Sequence, residues 1–130
     1  MNITLEQVMA INGLLQKIKD QKMPIKTSYK LVQLANEIEL KVKFFEEKMQ
    51  QIISDYGEKD EDGEFKKTEE GTGIIIKPNC AEVCQKEIFE LSNLEVELKD
   101  NHAFSLDELD GIEFSIEDLK ILMPFIKEDK

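Results

Sequence analysis

The chain has 130 residues, a length at which one domain buries a modest core without disulfide staples. Acidic residues outnumber basic ones by 28 to 17, the formal net charge is -11, and every basic residue is a lysine. Arginine is the usual residue for bidentate phosphate contacts, so its absence and the negative charge argue against nucleic-acid binding through a basic patch. No apolar run approaches the roughly 18 residues of a membrane span. Residues 1–6 lack the features of a secretory signal, so we expect a cytoplasmic protein.

The first predicted helix begins near Thr4, because Thr4 followed by Gln7 has the capping-box pattern. Apolar residues then recur every three or four positions and predict one buried stripe: Val8, Ile11, Leu15 and Ile18. Pro24 lies in the short connection that follows, and a short connection makes the next helix an antiparallel neighbour.

The second predicted helix, residues 27–56, is the longest element, with Thr27 as its N-cap and Gly57 as its stop. Its apolar residues alternate at spacings of four and three and form a continuous seam: Leu31, Ala35, Ile38, Val42, Phe45, Met49, Ile52 and Tyr56. Four further apolar residues are expected to widen the buried face: Leu34, Leu40, Phe44 and Ile53. This helix is about twice as long as the first, so half of the seam needs another cover. Another helix of the same chain could cover the rest of the seam. The alternative is a homodimer formed through the seam.

Residues 57–73 are charged, punctuated by glycine and nearly free of apolar side chains. Asp62 and Gly63 form a two-residue turn signal, with residues 59–61 and 64–66 as flanking strands. The stretch is therefore predicted to be a protruding acidic hairpin or loop. We expect it to bind a partner protein through seven side chains: Glu58, Asp60, Glu61, Asp62, Glu64, Phe65 and Glu69.

The same stretch partly resembles a calcium loop of the EF-hand type. Its loop positions 1, 3, 5 and 12 would be filled by four carboxylates, those of Glu58, Asp60, Asp62 and Glu69. The first position is Glu where Asp is expected, the ninth is Lys66, and glycines interrupt the exit helix. A hairpin tip is therefore the favoured interpretation, and these four residues are the weak calcium candidates.

The C-terminal half alternates short strands and helices. Residues 74–76, three isoleucines, predict a strand. Asn79 and Glu82 have the capping-box pattern of a third helix, residues 79–93, which is expected to cover the distal half of the seam. Residues 94–98 and 111–114 predict two more strands, with a turn at residues 100 and 101. Ser105 with Glu108 has the capping-box pattern of a short helical turn, and Ser115 with Asp118 has that of a last helix. Pro124 is expected to mark the final turn of this helix or a kink in it.

Together these elements predict a single α+β domain that is mostly helical. An antiparallel helical core surrounds the long helix, with a C-terminal capping helix and a small β-sheet formed by residues 74–76, 94–98 and 111–114. The order is a helical hairpin at 4–56, the acidic loop or hairpin at 57–73, a strand at 74–76, a helix at 79–93 and a β/α segment at 94–126.

No motif carries recognisable catalytic chemistry, so we expect a non-enzymatic protein without a cofactor. Cys80 and Cys84 are expected to be reduced side chains, with a redox role as the alternative. A zinc site would need two more ligands, and His102 is the only histidine. His102 is a candidate general base, although no nucleophile is placed beside it. The nearby acidic residues are mostly explained by helix N-termini: Asp107, Glu108, Asp110, Glu113, Glu117 and Asp118.

Five short runs occur in order along most of the chain: QKMPIKTSY at 21–29, FEE at 45–47, YGEKDEDG at 56–63, IEFS at 112–115 and LMP at 122–124. In these runs the chain resembles a family of small uncharacterised proteins of tailed phages and prophages of low-GC Gram-positive bacteria. Residues 67–79 depart from the family pattern. The resemblance implies a phage setting, in an infected or lysogenic bacterial host, and supplies no catalytic residues.

From these observations we expect a phage-encoded interaction protein that binds another protein, either a host defence factor or a phage assembly component. One alternative is a small-ligand binding protein, for example for a nucleotide signal, in which lysines and backbone N–H groups hold phosphate. A second alternative is a hydrolase that uses His102 and the nearby carboxylates.

Overall fold

The structure, a computed structural model, describes residues 1–69, 71, 73–99 and 102–127. These residues form four α-helices, two short 3₁₀ helices and a two-stranded antiparallel sheet. The prediction of a mostly helical α+β protein is confirmed. The chain divides into two compact units, one made of Met1–Val42 with Glu95–Lys130 and the other of Lys43–Leu94. The expectation of a single domain stays a prediction.

The first unit begins with a short strand, β1 (Asn2–Thr4), and a helix, α1 (Leu5–Ile18). The predicted capping box is present, because Thr4 Oγ1 accepts from the Gln7 N–H at 3.2 Å and Gln7 Oε1 accepts from the Thr4 N–H at 2.8 Å. The apolar stripe of α1 faces the core, and its buried residues are Leu5, Val8, Ile11, Leu14, Leu15 and Ile18. Local pattern alone therefore determines how this helix begins and which face it buries.

The long helix, α2 (Ile25–Tyr56), begins two residues earlier than predicted. Thr27 is not its N-cap, because the helix is already formed there and the Ser28 N–H donates to the Pro24 carbonyl at 3.0 Å. Thr27 is instead buried, with 1% of its surface exposed, and its hydroxyl donates to the Glu108 carbonyl at 2.8 Å. The threonine that looked like a cap holds a distant turn against the helix.

The seam of α2 is confirmed where its residues are buried: Leu31, Ile38, Val42 and Ile52, with Leu34 beside them as predicted. Leu40 and Phe44 do not widen the buried face, since they are 76% and 41% exposed. Each follows a seam residue by two positions, which places it about 200° around the helix from the seam. Their prediction as core was therefore wrong.

The sheet differs from the predicted one. Strand β2 (Glu95–Glu97) pairs with β1, with Ile3 opposite Val96, and residues 74–76 pair elsewhere in the chain. Residues 111–114 are not a strand. Gly111 has a φ of +88°, the Ile112 N–H closes a turn on the Leu109 carbonyl, and the Glu113 N–H donates to the Gln21 side chain. These backbone donors are already used, so no ladder forms there.

The last helix, α4 (Ile116–Leu122), begins at the predicted capping box, in which Ser115 Oγ accepts from the Asp118 N–H at 3.1 Å. A 3₁₀ helix, Met123–Phe125, follows it and contains Pro124. Lys17 on α1 forms an ion pair with Asp118 at 3.0 Å, so α4 is tied to α1. The backbone N–H of Ser115 and the Lys17 ammonium lower the pKa of Asp118.

The second unit contains the distal part of α2 and a third helix, α3 (Ala81–Ser92). Asn79 does not cap α3, because it lies within a 3₁₀ helix, Pro78–Cys80, and the N-cap position is Cys80 without a side-chain cap. Ile52, Cys84 and Leu91 are buried, which agrees with the prediction that α3 covers this part of the seam. The nearby carboxylate of Glu87, on α3, raises the pKa of Tyr56.

None of the helices in the described residues combines the length and the apolar character that crossing a bilayer requires. The predicted turn at residues 100 and 101 lies outside the described residues, as do Thr72 and residues 128–130.

Candidate functional site

The predicted acidic hairpin is part of a larger structure, residues 57–77, which we call the acidic arm. It consists of three short extended segments, 57–60, 64–68 and 73–77, and the structure describes all of its residues except 70 and 72. Antiparallel bridges join Lys59 to Phe65 and Lys67 to Ile74, and a third joins Gly57 to Ile76. Each segment therefore pairs with both of the others.

Three backbone hydrogen bonds close the arm into a ring. The Glu58 N–H donates to the Ile75 carbonyl at 2.7 Å. The Ile75 N–H donates to the Lys66 carbonyl, and the Lys66 N–H donates to the Glu58 carbonyl, both at 2.8 Å. Glu58, Lys66 and Ile75 each use both the backbone N–H and the backbone carbonyl in this ring. Each of the three segments is therefore hydrogen-bonded on both sides. The sequence indicated the isoleucine strand but not its partners.

The tip of the arm is a three-residue loop, and the predicted two-residue turn at Asp62 and Gly63 was wrong. The Asp60 N–H donates to the Glu64 carbonyl, and the Gly63 N–H closes a turn on the Asp60 carbonyl. Gly63 has a φ of +82°, as expected where a type I turn is followed by a residue in the left-handed region. Asp60 Oδ1 accepts from the N–H groups of Asp62 and Glu64, at 2.9 and 3.1 Å.

Asp60 was one of the four calcium candidates, but its carboxylate caps the turn at the tip of the arm. The carboxylate of Glu58 lies 3.3 Å from the ammonium of Lys66. In the described part of the chain, no group of three or more carboxylate, imidazole or thiol side chains is arranged to hold a metal ion, so Glu58, Asp60, Asp62 and Glu69 do not form one.

Five side chains of the arm, which we call the arm carboxylates, are exposed to solvent: Asp60, Glu61, Asp62, Glu64 and Glu69. Residues 57–69 carry six acidic side chains against three lysines. Glu58, the sixth, is half-buried and paired with Lys66. The arm therefore displays concentrated negative charge on a hydrogen-bonded backbone.

Phe65 was predicted to contact a partner, and it also anchors the arm. Gly57 is buried, and a Cβ added there would lie 2.7 Å from a ring carbon of Phe65 and 2.6 Å from the Ile53 carbonyl oxygen. The ammonium of Lys59 lies 5.2 Å from the centre of the Phe65 ring. The ring thus packs against the end of α2, where only glycine leaves enough space.

A groove of about 740 Å³ runs beside the arm in the same unit. Its apolar wall is formed by Ile53, Phe65 and Ile74, and its polar wall is formed by α2 residues: Glu47, Gln50, Gln51 and Ser54. An apolar surface beside exposed carboxylates is a pattern that suits a basic segment carrying an apolar side chain. The sequence predicted Phe65 for this surface but missed the contribution of α2.

The two cysteines show no sign of activation. Both are free, with Cys80 half-buried and Cys84 buried. Burial and, to a smaller extent, Glu87 raise the pKa of Cys84, which lowers its thiolate fraction and its reactivity.

Two of the acidic residues that the sequence placed near His102, Glu108 and Asp118, form ion pairs with lysines. Glu108 pairs with Lys30 at 2.7 Å and accepts from the Ser105 N–H, and these contacts lower its pKa. The Glu108 N–H donates to Ser105 Oγ, so the third predicted capping box is present. Asp118 pairs with Lys17. The described hydrogen-bond partner of the His102 ring is Glu37, on α2, which no local pattern in the sequence had indicated.

Comparison of the chain with models of known protein families, with curated proteins and with solved structures gave no match. The resemblance to phage and prophage proteins therefore stays a prediction.

Proposed function

We propose that the chain is a non-enzymatic interaction protein that binds another protein through the acidic arm. The observation that carries the proposal is the display of five exposed carboxylates on a backbone closed by hydrogen bonds between Glu58, Lys66 and Ile75. A preformed display loses little conformational entropy on binding, which favours affinity.

The partner's chemistry follows from charge and shape. Clustered negative charge attracts a positive surface and speeds its association. The groove wall of Ile53, Phe65 and Ile74 offers burial for an apolar side chain next to that charge. The expected partner surface is thus a lysine- or arginine-rich segment that carries at least one large apolar residue.

The biological setting that we propose for this protein is based on its resemblance to phage and prophage proteins. In that setting the protein acts in the cytoplasm of an infected or lysogenic bacterium. Its partner there is a host defence factor or a phage assembly component with a basic surface.

Chemical-shift mapping tests this proposal with a defined probe, a lysine-rich peptide that has a central phenylalanine. The backbone amide shifts of the ¹⁵N-labelled chain should change most at residues 58–69 and at Ile74, Gln50 and Ser54. A peptide with serine in place of phenylalanine should bind more weakly, because it cannot use the apolar wall of the groove. Shift changes spread evenly over the acidic surface, or equal binding of both peptides, would contradict the proposal.

The same arm should govern capture of the natural partner. A tagged chain expressed in an infected host should retain a partner that is lost when the arm carboxylates are replaced by their amides. Retention of that partner by the amide variant would show that the interface lies elsewhere.

A further inference from the structure

The only histidine of the chain is held in the first unit by a carboxylate from α2. Nε2 of His102 lies 2.9 Å from Oε1 of Glu37, and their side chains are 4% and 13% exposed. The second oxygen of Glu37 accepts from the backbone N–H of Lys99 at 3.0 Å. The ring of Phe125 meets the imidazole edge to face, with 6.4 Å between ring centres. The imidazole is therefore fixed in both position and orientation.

This arrangement determines which ring nitrogen is available for a ligand. A carboxylate that accepts from Lys99 and faces Nε2 makes Nε2 the protonated, donating nitrogen. Among the described residues, Nδ1 makes no hydrogen bond. Nδ1 accepts a hydrogen bond when the ring is neutral, and it donates one when the ring is protonated. Among the described residues, this buried imidazole is therefore hydrogen-bonded on one side only.

His102 lines a cleft of about 500 Å³ in the same unit. Lys99 and Lys127 line it too, and among its described lining residues there is no acidic side chain. The remaining lining is mostly apolar: Met1, Leu98, Ala103, Pro124, Phe125 and Ile126.

The backbones of both lysines are anchored. The Lys99 N–H donates to Glu37, and the Lys127 N–H donates to the Phe104 carbonyl at 2.7 Å. Phe104 is completely buried, so this second anchor belongs to the core. The two lysines thus have fixed backbones at the cleft and exposed side chains.

From this geometry we infer that the cleft binds a small organic anion, with His102 and the two lysines around its charged group. The ligand class is a phosphate monoester or a carboxylate with an apolar part. The anionic group lies between Lys99 and Lys127 and accepts a hydrogen bond from Nδ1–H of the protonated His102 ring. The apolar part packs against Leu98 and Phe125. This site shares no residue with the acidic arm, and the inference does not rest on the proposed protein partner.

Nuclear magnetic resonance tests the inference directly, since a single histidine gives one unambiguous set of imidazole signals. The full-length chain is titrated with phenyl phosphate, with benzoate and with neutral benzyl alcohol. We expect saturable movement of the His102 imidazole signals with at least one anion and none with the alcohol. Movement with phenyl phosphate alone or benzoate alone identifies the phosphate or the carboxylate as the recognised group. If neither anion moves the signals, or if the alcohol moves them equally, the inference is overturned.

Lysine variants provide the second measurement and leave the buried histidine intact. The double variant Lys99→Ala with Lys127→Ala should weaken anion binding by about tenfold, since charge-assisted hydrogen bonds are the strong ones. The matched control is Lys59→Ala with Lys67→Ala, which removes two exposed lysines from the arm and should leave affinity unchanged. Equal affinity of the two double variants would overturn the inference.

Discussion

The ring of Phe65 packs directly against Gly57, with space for a hydrogen atom but not for a methyl group. A Cβ at Gly57 would lie 2.7 Å from the ring and 2.6 Å from the backbone oxygen of Ile53. The first contact joins the arm to the end of α2, and the second cannot be relieved by a side-chain rotation. The position of the acidic arm therefore depends on this one glycine.

Gly57→Ala should loosen the arm. Overpacking of this kind costs about 1–3 kcal/mol, so hydrogen exchange of the amides of Glu58, Lys66 and Ile75 should become about tenfold faster or more. Amides of α1 should exchange as before. Unchanged exchange of the three arm amides would show that Phe65 moves away without cost.

Gly13→Ala is the matched substitution with the opposite expected sign. Gly13 lies inside α1, and a Cβ added there would meet nothing within 4 Å. Alanine should therefore stabilise the chain by about 0.5–1 kcal/mol, the helix-propensity difference. Urea unfolding measures this change, and a lower midpoint for the variant would contradict the open environment of Gly13.

Thr27→Val tests the buried contact between α2 and residues near Glu108. Valine has nearly the same shape but no hydroxyl, so the Glu108 carbonyl loses its donor inside the protein, at a cost of about 1–3 kcal/mol. The control Thr27→Ser keeps the hydroxyl and should lose only about 0.8 kcal/mol for the buried methyl group. If valine is tolerated as well as serine in urea unfolding, the hydroxyl contributes nothing.

The ion pair of Lys17 and Asp118 predicts a defined pH dependence. The pKa of Asp118 is lower in the folded chain than in the unfolded chain, where it is about 3.9. The contribution of Asp118 to the free energy of unfolding is therefore complete at neutral pH, well above the unfolded-state pKa, and is lost as the pH falls through the folded-state pKa. Asp118→Asn should be less stable than the parent chain at neutral pH, and the difference should shrink in acid. A difference that is constant with pH would contradict this assignment.

Local patterns in the sequence predict local structure well here. The capping boxes at Thr4 and Ser115 and the apolar stripe of α1 depend on residues within one or two helical turns. Thr27 shows the limit, since a threonine before an apolar stripe looks like a cap whether its hydroxyl meets its own helix or a chain segment 81 residues away.

Pairings between distant residues were not accessible in the same way. Residues 74–76 were correctly given an extended conformation, but their partners were wrong, because a short β-branched run does not specify what it pairs with. Glu37 and His102 are 65 residues apart. In the sequence nothing distinguishes Glu37 from the other acidic residues of the predicted helix. Part of the acidic arm could be predicted from the run of charge, whereas the cleft lined by His102, Lys99 and Lys127 could not be predicted from the sequence.

Affinity for the lysine-rich peptide, compared between two variants of equal charge, tests the central claim most directly. One variant replaces the arm carboxylates by amides: Asp60, Glu61, Asp62, Glu64 and Glu69. The other replaces five exposed glutamates outside the arm by glutamine: Glu39, Glu46, Glu90, Glu95 and Glu97. Asparagine at position 60 keeps an oxygen that accepts the turn hydrogen bonds, so the arm should keep its shape.

Isothermal titration calorimetry at physiological salt gives the result. Each exposed ion pair contributes about 0.2–1 kcal/mol, so loss of five should weaken binding by about tenfold or more. The variant with substitutions outside the arm should bind within about twofold of the parent chain, because none of its five glutamates belongs to the arm or lines the groove. Equal weakening of the two variants would mean that net charge alone attracts the peptide, which would contradict the arm as the binding site.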